Sequence, residues 1–256
     1  MALNYDKIVL FGDSITQYAY NVNVSPFCLG PALQDVYTRK FDVIQRGYGG
    51  YTSAHAKLMI DKIIAHENTP TSKVKLMTVF FGTNDSTGPS STIQHVPLET
   101  YVANMRYIAE KCKAADIKVV FIGAGPFNAH QWWPTRPGNP HNRTTIQARE
   151  YCDALVALGK EIGVPTVPMW DLLMEAVGWK EGDPLYGLEE LSAENPLTEY
   201  FVDGLHYNAK SYKIEYDGVM NAIKQAYPEL LPENVPLRLP EWASLTSPDV
   251  LEKALQ

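Results

Sequence analysis

Short apolar runs that alternate with helical patterns constrain the fold of this chain more than any other feature of its sequence. The runs are rich in Val, Ile and Phe and lie too far apart to pair as hairpins, which is typical of strands buried in a parallel sheet. The predicted strands are Ile8 to Phe11, Phe41 to Gln45, Leu76 to Phe81, Val119 to Ile122, and Val164 to Val167.

Helical patterns fill the intervals between the predicted strands. In the clearest one, apolar residues spaced three and four apart form one continuous stripe, which must face a sheet. The residues of this stripe are Leu98, Tyr101, Val102, Met105, Ile108, Ala109 and Cys112. A last helix is predicted from Asn208, as its N-cap, to about Ala226.

This alternation predicts an α/β fold, because parallel strands need crossover connections and these place helices on both faces of the sheet. Sites in such folds form at the carboxyl ends of the strands. The chain has 256 residues, 45% hydrophobic and 20% charged, which suits a folded globular protein. We place one domain at residues 1–226.

The segment 227–256 is predicted to be a proline-rich tail that is extended and ends in one short helix. It packs on the domain, or it docks onto a second subunit and makes the protein a homodimer. The prolines that define this tail are Pro228, Pro232, Pro236, Pro240 and Pro248.

The formal net charge of −7 argues against a nucleic acid or an anionic membrane as partner, since both need a cationic surface. No apolar run is long enough for a signal peptide or a membrane span, so we expect a cytoplasmic protein without membrane insertion. The three cysteines lack C-x-x-C spacing, which predicts reduced thiols rather than disulfides or a zinc site.

A serine follows the first predicted strand in the segment Gly12-Asp13-Ser14. This position puts its hydroxyl on the turn between strand and helix, where the free N–H groups of the helix N-terminus can stabilise negative charge. An Asp-Ser pair at a turn is also typical of a simple helix cap. Ser14 is therefore a candidate nucleophile that needs partners elsewhere in the chain.

Asp203 and His206 lie three residues apart just before the last helix, with a glycine between them. At this spacing the carboxylate can turn back to the imidazole Nδ1–H and leave Nε2 free for a serine. The alternative is a capping aspartate beside a surface histidine.

Two polar turns supply further hydrogen-bond donors after the second and third predicted strands. Asn84 follows the third strand and can donate its amide to an oxyanion, while its neighbour Asp85 supports the loop. Gly50 lies in a glycine cluster after the second strand and offers a backbone N–H, although the cluster also suits a flexible turn. Together with Ser14, Asp203 and His206, these residues supply the parts needed for acyl transfer.

In their order and spacing along the chain, these residues resemble the sequence blocks of the SGNH (GDSL-like) hydrolase family. Ser14 matches its first block, Gly50 the second, Asn84 the third, and Asp203 with His206 the last. The chain is similar in particular to the eukaryotic isoamyl acetate-hydrolysing esterases, over nearly its whole length. The segments that carry this similarity are residues 10–16, 37–40, 45–48, 50–53 and 203–207.

The resemblance implies a three-layer α/β/α sandwich with a flavodoxin-like, five-stranded parallel sheet. It implies hydrolysis of short-chain carboxylic (acetate-type) esters through an acyl-enzyme intermediate, with small-molecule esters as partners and neither a metal nor an organic cofactor. Ser14, Asp203 and His206 would form the catalytic triad, and Ser14, Gly50 and Asn84 the oxyanion hole.

The substrate pocket is less constrained, because the segment 127–143 matches nothing in that family. Trp132, Trp133 and Trp179 line an ester pocket, or they anchor the two long insertions in which they lie, residues 127–143 and 179–200.

Other functions stay open at this stage. The same catalytic parts would serve a thioesterase or a carbohydrate acetylesterase, which substrate profiling separates. A flavodoxin-like sheet could also bind FMN or a phosphate at the Ser14 turn, and Asp203 and His206 would then have no role. A non-catalytic interaction domain that uses its proline-rich tail is the third alternative.

Overall fold

A computed structural model describes residues 4–23, 26–91, 93–138, 141–191 and 194–255. Each predicted strand is present, and together they form one parallel sheet in the order β2-β1-β3-β4-β5. The strands are β1 (Asp6–Gly12), β2 (Phe41–Gly47), β3 (Val74–Phe80), β4 (Lys118–Ile122) and β5 (Thr166–Val167). This order is that of flavodoxin-like folds.

Helices fill the crossover connections between the strands and also follow the last strand, and short 3₁₀ helices occur at residues 133–135, 196–199, 228–230 and 242–244. The α-helices are α1 (Ser14–Tyr18), α2 (Leu29–Val36), α3 (Ser53–Glu67), α4 (Leu98–Ala114), α5 (Ala129–Trp132), α6 (Thr145–Ile162), α7 (Met169–Ala176), α8 (Ala209–Ala226) and α9 (Pro248–Leu255).

Two apolar cores separate the three layers, because successive side chains of a strand point to opposite faces of the sheet. In β1, Ile8 and Leu10 join the core that contains buried residues of α2, α7 and α8. Val9 and Phe11 join the core that contains buried residues of α3, α4 and α6. The predicted α/β/α sandwich is therefore confirmed.

The two helices predicted in detail are also confirmed. The apolar stripe lies on α4 and supplies buried residues such as Tyr101, Met105 and Ile108. At the start of α8 the Asn208 side chain accepts a hydrogen bond of 2.9 Å from the Lys210 N–H, so Asn208 is the N-cap.

Insertion 127–143 contains α5 and the 3₁₀ turn that follows it, which are too short to show a helical pattern in the sequence. Phe127, Trp132, Trp133 and Leu205 form a small third apolar cluster that joins this insertion to the segment before α8. Residues 139 and 140 of the insertion lie outside the described residues.

The first part of the tail packs on the sheet domain. Leu230 and Val235 are buried in the core, and the Tyr37 hydroxyl donates a hydrogen bond of 2.7 Å to the Leu230 carbonyl. The predicted terminal helix is α9, and none of its described residues is buried. Trp242 is 83% exposed. The domain boundary placed at residue 226 stays a prediction.

Among the described residues, no helix is both long and apolar enough to cross a membrane. Cys28, Cys112 and Cys152 are buried free thiols.

Candidate active site

The carboxyl end of β1 places Ser14 as the first residue of α1, with Asp13 as the N-cap. One carboxylate oxygen of Asp13 accepts a hydrogen bond of 2.9 Å from the Ile15 N–H. This cap fixes the turn, and the serine is 7% exposed. Ser14 therefore lies at the start of a helix, where unpaired backbone N–H groups are concentrated.

His206 joins the serine to the acid in one line of hydrogen bonds. Its Nε2 lies 3.0 Å from the Ser14 Oγ, and its Nδ1 lies 2.9 Å from the Asp203 Oδ2. The tertiary fold thus brings together residues that are 192 positions apart in the chain. The predicted triad residues have the geometry that a general base and its orienting carboxylate need.

The Asp203 carboxylate is held from both sides. Its Oδ1 accepts hydrogen bonds from the backbone N–H groups of Leu205 and His206, and its Oδ2 also accepts one of 2.9 Å from the Arg136 guanidinium. Burial disfavours the charged carboxylate, but the bonds from His206 and Arg136 outweigh it and lower the pKa of Asp203 below its ordinary value. The carboxylate is therefore ionised at neutral pH.

The insertion 127–143 braces the loop that carries Asp203 and His206. The Asn128 N–H donates a hydrogen bond of 2.9 Å to the carbonyl of Gly204, whose φ of +91° suits a glycine. The Trp132 ring lies 5.9 Å from the His206 ring between centroids, and the Arg136 guanidinium stacks on Trp132 at 3.2 Å. The position of the loop that carries Asp203 and His206 thus depends on this insertion.

On the other side of the site, the Asn84 side chain is buried and hydrogen bonded at both ends. Its Nδ2 donates to the Tyr51 carbonyl at 2.9 Å, and its Oδ1 accepts from Gln94 at 3.2 Å and from Arg143 at 3.0 Å. Gln94 Nε2 also donates to the Gly50 carbonyl at 3.1 Å. Gln94 therefore joins the two segments predicted to form the oxyanion hole.

Within the described part of the chain, no hydrogen bond uses the backbone N–H of Ser14 or Gly50, and one N–H of the Asn84 amide is also unused. These are the three donors assigned to the oxyanion hole from the sequence. Donors without a protein acceptor suit an oxygen that is present only when substrate is bound.

Two buried carboxyl groups lie under the site. Asp85 accepts hydrogen bonds from the N–H groups of Ser53 and Gly82, so it ties the Asn84 loop to the start of α3. Burial raises the pKa of Asp85 to about 6 and that of Asp13 to about 7, although backbone hydrogen bonds act in the opposite direction. The predicted support of the loop by Asp85 agrees with these contacts.

The three tryptophans predicted to line the pocket lie in different places. Trp132 contacts His206, and Trp133 packs on Phe127 next to it. Trp179 packs on Trp170 at the start of α7, and its described contacts do not reach the triad. Of these three tryptophans, Trp132 is therefore the one whose described contacts reach His206.

Gln94, Arg136 and Arg143 also belong to the site, and the sequence did not single them out. Each is an isolated polar residue in an irregular segment, without a motif or a periodicity that would mark it. A cavity of about 250 Å³ lies beside the triad, lined in part by Tyr18 and Val202. Among the described residues, no group of three or more His, Cys, Asp or Glu side chains is arranged to hold a metal ion.

Comparison with known proteins identifies a relationship over most of the chain. The model of the GDSL-like lipase/acylhydrolase family matches residues 10–214. The chain is 34% identical to the isoamyl acetate-hydrolyzing esterase of Saccharomyces cerevisiae, over 94% of this chain and 95% of that protein. It is 28% identical to the isoamyl acetate-hydrolyzing esterase 1 homolog of Homo sapiens, over 94% of this chain and 88% of that protein.

Solved structures share the fold at lower sequence identity. A lipase/acylhydrolase from Enterococcus faecalis matches with a TM-score of 0.57 at 20% identity, covering 86% of this chain and 96% of that one. An acetylxylan esterase from Geobacillus stearothermophilus matches with a TM-score of 0.60 at 16% identity, covering 87% and 96%. These two similarities concern the fold alone.

Proposed function

The chain belongs to the GDSL-like lipase/acylhydrolase family, and we propose that it acts as a serine esterase with Ser14 as its nucleophile. It is a carboxylic ester hydrolase, as its family and its relatives indicate. The observation that carries the proposed mechanism is the continuous line of hydrogen bonds from Ser14 Oγ through His206 to Asp203.

In this mechanism Ser14 Oγ attacks the ester carbonyl carbon while His206 Nε2 takes the hydroxyl proton. Asp203 holds the imidazole and stabilises the imidazolium that forms. The carbonyl oxygen becomes an oxyanion, bound by the N–H groups of Ser14 and Gly50 and the amide of Asn84. When the C–O bond breaks, His206 returns the proton to the departing alcohol. Water then attacks the acyl-enzyme by the same steps and releases the acid.

The nucleophile is tested with Ser14→Ala and His206→Ala, because both residues act as one unit. Each variant should lose roughly 10⁴- to 10⁶-fold in kcat while keeping its melting temperature. A fluorophosphonate should label the wild-type protein once, at Ser14, as read by peptide mass spectrometry. Substantial hydrolysis by Ser14→Ala, or labelling of another residue, would contradict the proposal.

We further propose that the substrates are soluble esters of short acids, from acetate to about hexanoate. The buried Trp132 ring packs against the His206 ring and closes one side of the proposed base, which limits the room for a long acyl chain. The yeast relative is named for isoamyl acetate, which is also an ester of a short acid.

The acyl preference is tested with p-nitrophenyl esters of two to twelve carbons, assayed below and above their solubility limits. We expect kcat/KM to be highest for short acyl chains, because a methylene that does not fit is rejected by the packed wall. A maximum at decanoate, or a rise in rate when micelles form, would mean that the insertions open as a lid. Acyl thioesters and acetylated sugars, assayed in parallel, separate the thioesterase and carbohydrate acetylesterase alternatives.

We also propose that the protein forms a homodimer through its tail. The exposed Trp242 and the helix α9 that follows it are compatible with such a dimer. Light scattering of the full chain, and of a chain that ends before Pro240, tests this oligomeric state.

We propose in addition that the protein resides in the cytoplasm. Its three free thiols are compatible with this location, and cell fractionation tests it.

A further inference from the structure

Arg143 and Gln94 form a hydrogen-bonded clamp around the Asn84 side chain. Arg143 donates to the Thr83 carbonyl, and its Nη2 lies 3.0 Å from both the Asn84 Oδ1 and the Gln94 Oε1. Gln94 in turn donates to the Asn84 Oδ1 and to the Gly50 carbonyl. The clamp therefore contacts both loops that carry the proposed oxyanion donors.

The clamp uses a cation that has lost much of its hydration. Burial lowers the pKa of Arg143 to about 10, whereas the charge of Asp13 acts in the opposite direction. A guanidinium that is partly buried is costly unless its N–H groups are paired, and here neutral oxygens, rather than a carboxylate, accept hydrogen bonds from them. Such a cation attracts negative charge that develops nearby.

The chemistry of the amide explains what this cation does for Asn84. A guanidinium has only donors, so it can donate to the oxygen of the amide but cannot pair with its NH₂ group, and the flipped orientation of Asn84 is excluded. The nitrogen end must then face the other way, where Tyr51 takes one N–H and the second has no acceptor among the described residues. A charged donor on Oδ1 also polarises the amide and strengthens its N–H groups as donors.

We propose that Arg143 and Gln94 are positioning residues of the oxyanion hole, which orient the Asn84 amide and increase its strength as a donor to the transition state. The inference rests on the proposed function, because it assumes that Asn84 binds the oxyanion. Both act through Asn84, and Gln94 also couples it to the carbonyl of Gly50.

A kinetic double-mutant cycle between Arg143 and Asn84 tests this role. Asn84→Ala should lower kcat by roughly 10²- to 10³-fold with little change in KM, because the oxyanion exists only beyond the ground state. Arg143→Ala should lower kcat by roughly 10- to 100-fold, also with little change in KM. In the Asn84→Ala background the same substitution should change kcat by no more than about 2-fold.

Gln94→Glu is the second variant, and it keeps the test valid if Arg143→Ala does not fold. The substitution is nearly isosteric, but it replaces the Nε2 donor by an oxygen that repels the Gly50 carbonyl and the Asn84 Oδ1. We expect kcat to fall at least 10-fold at an unchanged KM, in a protein that still folds but melts at a somewhat lower temperature. In the Asn84→Ala background the same substitution should leave kcat nearly unchanged.

Arg149→Ala is the matched control, because Arg149 is an arginine of the same region that pairs with Glu181 on the surface. Its kcat should equal that of the wild type. Equal losses of kcat for Arg143→Ala with and without Asn84, or a loss expressed mainly in KM, would overturn the positioning role. A normal kcat for Asn84→Ala alone would instead refute the proposed oxyanion hole, so the two failures are distinguishable.

Discussion

At the scale of single residues, the ion pair between Arg136 and Asp203 links the proposed triad to the insertion. The two charged groups lie 2.9 Å apart, with side chains 27% and 20% exposed. Arg136 therefore does two things at once, since its charge favours the ionised form of Asp203 and its stacking on Trp132 fixes the insertion.

Arg136→Met is expected to lower kcat roughly 5- to 30-fold, because Asp203 loses one charge-assisted hydrogen bond worth about 1 to 2 kcal/mol. Initial rates with a short-chain ester at neutral pH measure the effect. Arg106→Met is the control, since Arg106 pairs with Glu161 on the surface, and its rate should not change. An unchanged rate for Arg136→Met would show that the carboxylate is held well enough without the guanidinium.

The same substitution has a predictable dependence on pH. The pKa of Asp203 is lowered in the folded state, so the stabilisation that it contributes is present above the ordinary aspartate pKa and is lost as pH falls through the folded value. Without Arg136 the folded pKa moves toward the ordinary one. The deficit in unfolding free energy should thus be constant above about pH 5 and shrink below about pH 4. Urea unfolding of both proteins across this range measures it.

At the scale of elements, the loop between Phe201 and α8 packs closely against the insertion 127–143. Gly204 has a φ of +91°, and a Cβ built on it would lie 2.3 Å from the Asn128 carbonyl oxygen. The loop and the insertion touch backbone to backbone at this point, so neither can shift without the other.

Gly204→Ala is expected to lower the free energy of unfolding by about 2 to 3 kcal/mol and to reduce kcat strongly, because the strained loop carries both Asp203 and His206. Gly163→Ala is the matched control. Gly163 ends α6 with a φ of +70°, and a Cβ there would meet nothing within 4 Å. It should cost only about 1 kcal/mol and leave kcat unchanged. Equal effects on kcat would mean that the contact with Asn128 is not what places the loop.

At the scale of the whole molecule, the tail divides into a packed part and an exposed part. Residues 228–241 contribute Leu230 and Val235 to the core and receive hydrogen bonds from Tyr37 and Arg39. Beyond them, Trp242 is exposed and α9 contributes no buried residue.

Truncation at two points is expected to give different stabilities. Removing the chain after Leu245 deletes α9 and should leave the melting temperature nearly unchanged. Removing it after Tyr227 also withdraws Leu230 and Val235 from the core, at about 1.5 to 3 kcal/mol for each fully buried side chain. The melting temperature should then fall by several degrees, as calorimetry would show. Equal melting temperatures for the two truncations would contradict a structural role for residues 228–241.

The sequence by itself determined the strands, the main helices, the fold class and the identity of the triad candidates. Strand and helix patterns depend on the alternation of apolar and polar side chains, and capping by Asn208 depends on its immediate neighbours. The candidates for the nucleophile and its base could be proposed because Ser14, Asp203 and His206 lie in short local motifs at the ends of predicted elements.

Only the tertiary structure decided which other residues reach those motifs. Trp132 and Trp179 looked alike in the sequence, yet one lies beside His206 and the other against Trp170. Arg136 meets Asp203 across 67 positions, and Arg143 meets Asn84 across 59. Such contacts depend on the paths of irregular segments over the sheet, and those paths are set by packing between residues far apart in the chain. No local sequence pattern predicts that packing, because each of these residues is compatible with its own segment whether or not its distant partner is nearby.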